Sequence, residues 1–250
     1  LQTKNHILIF DSGAKYSDRF DAGSSVVIPY LRHIGAESID LMVISHGDTD
    51  HIGGAYSILE SFPETEIVGQ DIHLLKVQDK RLCQRGQQWQ WDGVHFEFLS
   101  PKNSQSHISE TKRNNRSCVL KVFSAAGSVL LTGDIEQVIE SELVSAFGHD
   151  LHVDVLIVPH HGSKTSSSQQ FIDMLSADYA IFSVGYQNRY RLPNEIVRKR
   201  YEYSSKGIYR TDENGAISVS FTGQQGIIIQ PYRQVIHKFW HHDIDAGSSP

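Results

Sequence analysis

The stretch SHGDTDHIGG, Ser45–Gly54, decides how the rest of the chain is read. Leu41-Met42-Val43-Ile44 is apolar, as a buried strand would be, and it runs straight into His46, Asp48, Asp50 and His51. Two imidazoles and two carboxylates crowded at the end of a buried strand must repel one another or compete for one proton. Burying such charges uncompensated is costly. Divalent cations remove that cost. His46 and Asp48 are two apart, so in an extended turn both can face one ion. Asp50 and His51 are adjacent at a helix start and can face a second. Gly53-Gly54 lets that helix begin tight against the site.

Other strand ends repeat the theme. Ile7–Phe10 runs into Asp11, Val129–Thr132 into Gly133-Asp134, and Val153–Val158 into Pro159-His160-His161. A lone His-Asp pair fits a surface turn as well as a metal site. Four strands that all end in ionisable groups place one site along one edge of the sheets.

The 250 residues are 39% hydrophobic and 21% charged, which gives a folded chain with a sizeable core and excludes a disordered polymer. The net charge of −6 argues against a general nucleic-acid coat, so a polyanionic substrate would need a local basic patch or metal ions. No run of eighteen apolar residues and no signal peptide is visible, and the start at Leu1 reads as a soluble domain cut from a longer protein. Two cysteines, Cys83 and Cys118, are too few for a disulfide scaffold; buried, unpaired thiols are the expected state. Of fourteen histidines, His237, His241 and His242 fall in a polar tail, 236–250, expected to be flexible beyond a single domain over 1–235.

The pattern alternates strands and helices. Strands are expected at Ile7–Phe10, Leu41–Ser45, Glu66–Val68, Val119–Phe123, Val129–Thr132, Val153–Val158, Tyr179–Val184, Ala216–Phe221 and Ile227–Tyr232. A hairpin is expected about Asp92-Gly93 within Trp89–Leu99. Helices are expected at Ser24–Ile34, with Val27, Tyr30, Leu31 and Ile34 on one face, and at Gly54–Glu60, Ile135–Phe147, Ser168–Leu175 and Asn194–Tyr203. Two mixed sheets packed together, with helices outside, fit this order better than one doubly wound sheet.

HGDTDHIGG resembles the signature of the metallo-β-lactamase superfamily, in the variant whose second histidine is aspartate. ILIFDSG at 7–13 and LTGD at 131–134 resemble that superfamily's first strand and its bridging-aspartate motif. With NNRSCVL, PHHGSKTSSS and SVGYQNRY, the set is more closely similar to the C-terminal soluble domain of the ComEC family, the DNA-uptake channels of bacterial natural transformation. The resemblance implies a four-layer αββα sandwich. It implies that His46 and Asp48 hold one metal, that Asp50 and His51 hold the other, that Asp134 bridges them, and that Asp11 supports the loop. His160 would complete the second site and His161 would touch substrate or protonate the leaving oxygen, though the two could exchange. Metal-activated water would be the nucleophile, oriented by Asp50. Two positions depart from the family: Asn114-Asn115-Arg116-Ser117 has no histidine where the superfamily's third motif supplies one, and Leu192 stands where relatives often carry histidine. The abundance of oxygen ligands favours Mn²⁺, with Zn²⁺ the alternative.

Two metals suit displacement at phosphorus. Ser163, Lys164, Thr165 and Ser166, ahead of a helix, make a candidate phosphate cradle. Asn115 and Arg116, with Lys112 and Arg113, are candidates to line a strand-binding groove, and Arg189 beside Tyr190 offers a cation next to a stacking surface. Trp89 and Trp91 read as sheet core. The expected function is a metal-dependent nuclease that degrades one strand of incoming DNA. Its expected place is the outer or periplasmic face of the inner membrane, beside the channel part of the same polypeptide. The alternatives are a phosphodiesterase for small or cell-wall phosphoesters, and an inactive module that guides DNA. Nothing in the sequence suggests a pocket for a β-lactam ring.

Overall fold

The computed structural model describes residues 1–77, 80–102, 112–223 and 225–236. These fall into two compact units, residues 1–122 with 131–139, and residues 123–130 with those from 140 onward. The histidines of the expected tail, His237, His241 and His242, lie outside the described residues.

The first unit is built on β1 (Leu8–Phe10), β4 (Leu41–Ile44), β5 (Glu66–Gly69) and β6 (Lys80–Leu82), paired in that order and all parallel. Between β1 and β4 lies a small hairpin, β2 (Lys15–Ser17) with β3 (Phe20–Asp21). All four residues of β4 are buried, which is why it reads LMVI without alternation. Met42 and Ile44 share one apolar cluster with Ile28 and Leu31 of α1 (Ile28–His33) and Ala55 and Ile58 of α3 (Ala55–Ser61). Each such side chain contributes about 1.5–3 kcal/mol by leaving water. The short α2 (Thr49–Ile52) lies between β4 and α3 and carries Asp50 and His51. Gly54, at the start of α3, has no room for a side chain: a Cβ there would stand 2.3 Å from the carbonyl oxygen of Ser12.

The expected helix at Ser24–Ile34 opens as a π-turn, Gly23–Val27, before α1 begins. The wider turn rotates the helix face. Ile28 and Leu31 are buried as a result, while Tyr30, expected on that face, is 55% exposed. β7 (Gln88–Trp91) and β8 (Val94–Ser100) form the expected hairpin, closed by Asp92 and Gly93, both with positive φ. Trp89 stacks on Phe96 with ring centroids 4.9 Å apart, so it packs the sheet as expected.

Cys83 and Cys118 are joined by a disulfide, which corrects the expectation of separate thiols. They are 35 residues apart, and nothing local marks them as partners. The fold brings them together: the Cys83 amide donates to the Gly69 carbonyl at the end of β5, and the Cys118 amide donates to the Ser45 carbonyl just past β4.

The chain leaves the first unit within β9 (Val119–Ser124) and continues in β10 (Gly127–Leu131). The second unit carries β11 (Val155–Ile157), β12 (Tyr179–Phe182) and β13 (Gly207–Arg210), parallel and adjacent. It ends in the antiparallel pair β14 (Ile217–Thr222) and β15 (Gly226–Pro231). β13 had no sequence signal, being four half-buried residues whose place is set by pairing with β12. Its longer helices are the greater part of α4 (Gln137–Phe147), then α5 (Gln169–Leu175) and α6 (Glu195–Ser204), the last with Asn194 as N-cap. Among the described residues no helix is long and apolar enough to cross a membrane.

Within the second unit, Glu140 of α4 is fully buried and takes the backbone amides of Ser167 and Ser168. Burial pushes its carboxyl above the usual range, against those hydrogen bonds and the nearby Arg200 charge. Tyr201 donates to the Ser167 hydroxyl, 2.9 Å away. Glu140→Ala would strand two buried amide donors, each costing about 1–3 kcal/mol. Equilibrium urea unfolding should show a loss of roughly 2–5 kcal/mol; a loss under 1 kcal/mol on the same scale would contradict the clamp.

Candidate metal centre

The centre in the first unit is assembled where β4 ends. His46 is fully buried, His51 nearly so, and their rings lie with centroids 4.1 Å apart. Asp11, at φ +59°, fixes this arrangement from behind. One of its oxygens accepts the Ser45 amide at 2.7 Å; the other accepts the Ser45 hydroxyl at 2.8 Å and lies 2.7 Å from Nδ1 of His51. The carboxylate therefore draws the proton of His51 to Nδ1 and turns Nε2 towards Asp134.

Asp134 spans the two rings. Its Oδ1 is 3.2 Å from Nε2 of His51 and its Oδ2 is 4.0 Å from Nε2 of His46. Asp48 brings Oδ2 to 3.4 Å from the same Nε2 of His46, and Asp50 brings Oδ2 to 3.9 Å from Nε2 of His51. Nε2 of His46 is buried and makes no hydrogen bond. A buried imidazole nitrogen facing carboxylate oxygens at these separations is a donor set for a cation. The candidate ligand atoms of His46, His51 and Asp134 all lie within 4.8 Å of one another.

Two serines that the sequence reading passed over help to build the centre. The Ser45 hydroxyl is 3.0 Å from Nδ1 of His46. The Ser117 hydroxyl accepts the Asp134 amide at 3.2 Å and lies 3.4 Å from the same Nδ1. Their only sequence signal was adjacency, Ser45 to His46 and Ser117 to the Asn-Asn-Arg segment.

The two imidazoles differ in charge when no ion is bound. Burial, then the charge on His51, pushes His46 below its ordinary pKa of 6.5. Burial also opposes charge on His51, but Asp11 and Asp134 outweigh it and hold this group well above 6.5. A histidine raised in the folded state stabilises it fully below the unfolded pKa and ceases to do so as pH climbs through the folded one. The unfolding temperature of chelator-treated protein should therefore fall as pH rises above about 6.5, and Asp11→Asn should flatten the fall. An unfolding temperature that climbs over that range would contradict the assignment. A cation must displace this proton, so metal uptake should release acid.

The other expected site residues divide into two groups. In the first unit, Asn115 is buried, accepts the Glu136 amide at 2.9 Å and donates to the Glu136 carboxylate. Arg116 is tied to Asp71 at 2.8 Å. In the second unit, Ser166 is fully buried and donates to the Pro159 carbonyl. Asn115 and Ser166 are buried, and Arg116 keeps part of its side chain exposed beside Asp71. The amides of Ser167 and Ser168, which follow the expected cradle, are taken by Glu140, and Ser168 caps α5. Ser163, Lys164 and Thr165 are at least partly exposed, and Arg189 is exposed with its guanidinium 4.6 Å over the Tyr190 ring. His160 places Nδ1 3.1 Å from the Thr165 hydroxyl, whereas Nδ1 of His161 donates to the Ser183 carbonyl at 2.7 Å.

This combination of fold and site defines a class. The sequence model of the metallo-β-lactamase superfamily matches residues 1–186, and the chain belongs to that superfamily. It has the superfamily's fold and is built to bind divalent metal. It is 35% identical over 240 residues to Competence protein ComA of Neisseria gonorrhoeae, which covers 96% of this chain and 32% of that protein. It is 32% identical to ComE operon protein 3 of Bacillus subtilis, over 85% of this chain and 29% of that one. The chain thus spans about a third of the length of these relatives. Among solved structures, the metallo-β-lactamase fold protein YhfI from Bacillus subtilis superposes with a TM-score of 0.51 at 15% identity, covering 83% of this chain and 84% of its own. The expected family and fold class hold, and the likeness to competence proteins extends over nearly the whole chain.

Proposed function

We propose that the chain is the nuclease domain of a DNA-uptake channel and hydrolyses phosphodiester bonds of single-stranded DNA with two divalent metal ions. The observation that carries this is the placement of Asp134, with one oxygen toward each of two buried imidazoles. A carboxylate so placed suits a pair of cations. His46 and Asp48 would hold one, Asp50 and His51 the other, and Asp134 both. Mn²⁺ or Zn²⁺ fits the mixed nitrogen and oxygen donors. Bound there, the ions would supply Lewis-acid charge and an activated water.

The chain's own residues supply the rest. Asp11 keeps His51 in the tautomer that ligation requires. Asp50, half exposed, orients the attacking water. Within the second unit, donation from Nδ1 of His161 to the Ser183 carbonyl leaves that ring's lone pair on Nε2. His160, beside Thr165, then serves the substrate. Ser163, Lys164, Thr165 and Arg189 bind its phosphates and Tyr190 stacks a base. The buried disulfide supports a location on the oxidising outer face of the inner membrane, next to the rest of a channel polypeptide.

The test is incubation with labelled single-stranded DNA and Mn²⁺, Mg²⁺ or Zn²⁺, beside Asp50→Ala. Metal-dependent loss of DNA confined to the unmutated protein is expected, and circular DNA would separate end-dependent from internal cleavage. Turnover of bis-p-nitrophenyl phosphate with intact DNA would favour a small-ester enzyme. Retention of DNA without cleavage would favour a guide module.

A further inference from the structure

Directly before the segment in which the superfamily's third motif supplies a histidine stands an arginine that grips a proposed metal ligand. Nη1 of Arg113 donates to Oδ1 of Asp48 at 2.8 Å. That leaves Oδ2, the oxygen nearer His46, for a cation. The same guanidinium turns Nε to 3.7 Å from Oδ2 of Asp71. Asp71 is largely buried and sits at φ +54°, a conformation a non-glycine residue holds only when its surroundings demand it. Its Oδ2 also accepts the Gly47 amide at 3.1 Å, between His46 and Asp48, and its Oδ1 pairs with Arg116 at 2.8 Å. The contact at Gly47 is close: a Cβ there would lie 2.6 Å from the Asp71 Cβ.

We propose that Arg113 and Asp71 are positioning residues for the metal centre, holding Asp48 in its ligating orientation in place of the absent third-motif histidine. The inference rests on the metal-centre reading above. Three physical points carry it. First, a carboxylate on a loop has free rotation about two bonds, and the bond from Arg113 removes it. Second, a lone cation beside a metal ion would repel it, but Asp71 and Asp48 balance Arg113 and Arg116, so the orientation comes without net positive charge. Third, Asp71 fixes both the backbone at Gly47 and the side chain that fixes Asp48, so one buried carboxylate registers the whole loop between His46 and Asp48. Arg113 itself is half exposed and is not a member of the apolar cluster, so its removal should leave the ion-free fold in place.

The experiment is calorimetric titration of the chain with Mn²⁺ and with Zn²⁺ for the wild type, Arg113→Ala, Arg113→Lys and Asp71→Asn, with the unfolding temperature of each chelator-treated protein. Arg113→Ala should weaken uptake of one metal equivalent by about 10- to 100-fold, the scale on which partners of metal ligands act. Its ion-free unfolding temperature should stay unchanged. Arg113→Lys should recover part of the affinity, since an ammonium can still reach one carboxylate oxygen. Asp71→Asn should weaken the same equivalent without touching any ligand atom. Wild-type affinity in Arg113→Ala, while the wild type binds metal, overturns the inference alone. A wild type that takes up no metal overturns the metal-centre reading, and the inference with it.

Discussion

Asp134→Ala should abolish metal-dependent phosphodiester cleavage while the protein still folds. The two oxygens of Asp134 address both imidazoles, so its loss removes a ligand from each proposed ion at once. Loss of a mere supporting partner already costs about 10- to 100-fold, and loss of a shared ligand should exceed that range. The fold should tolerate the change in ion-free protein, because the Asp134 amide keeps its bond to the Ser117 hydroxyl. Removing a carboxylate also takes away one of the groups that hold His51 protonated, so the ion-free protein should lose part of its low-pH stabilisation. Initial rates on labelled single-stranded DNA, with metal content measured by elemental analysis, would check this. Undiminished cleavage in Asp134→Ala would end the two-ion proposal.

Reducing the Cys83–Cys118 bond should produce the largest change in stability. The bridge closes a loop of 35 residues, and the chain-entropy account gives such a loop about 4 kcal/mol. In a unit of this size that corresponds to a fall of roughly 10–20 °C in unfolding temperature. Both sulfurs are buried, so reduction should need partial denaturation or prolonged reductant. Cys118 directly follows Ser117, which touches both His46 and Asp134. Metal affinity should therefore weaken along with the fold. Calorimetric scans of the oxidised protein and of Cys83→Ser/Cys118→Ser decide the point; coincident transitions would show that the bridge does not stabilise the native state.

The parts legible in the sequence were those written locally. The apolar run before His46 and the Asp92-Gly93 turn each carry their own signal within a few residues, and each stands where it was expected. The parts not legible depend on distant partners. β13 exists because β12 lies beside it. The disulfide depends on two strand ends meeting, and Tyr30 is exposed because a wider turn precedes it. The same distinction runs through the site. His46, Asp48, Asp50, His51 and Asp134 stand out as ionisable groups past buried strands. Asp71 and Ser117 carry no such mark, since an aspartate after Gln70 or a serine after Arg116 is unremarkable until the tertiary fold sets it against Gly47 or His46. The serine-rich stretch after His161 invited a phosphate reading because its hydroxyls and amides look unclaimed in sequence. Glu140, more than twenty residues earlier, claims two of those amides.

His160 and His161 occupy the left-handed region at φ +48° and +55°, followed by Gly162 at +79°. For residues with a Cβ such backbone costs on the order of 1 kcal/mol apiece. That tension is met during folding, by the Glu140 clamp and by the Ser166 hydroxyl on the Pro159 carbonyl. The imidazoles are thereby presented in one shape before any ligand arrives. Association of the proposed substrate would then demand little reordering of this loop, so its entropy penalty should be small and its rate should follow diffusion and charge rather than a slow rearrangement.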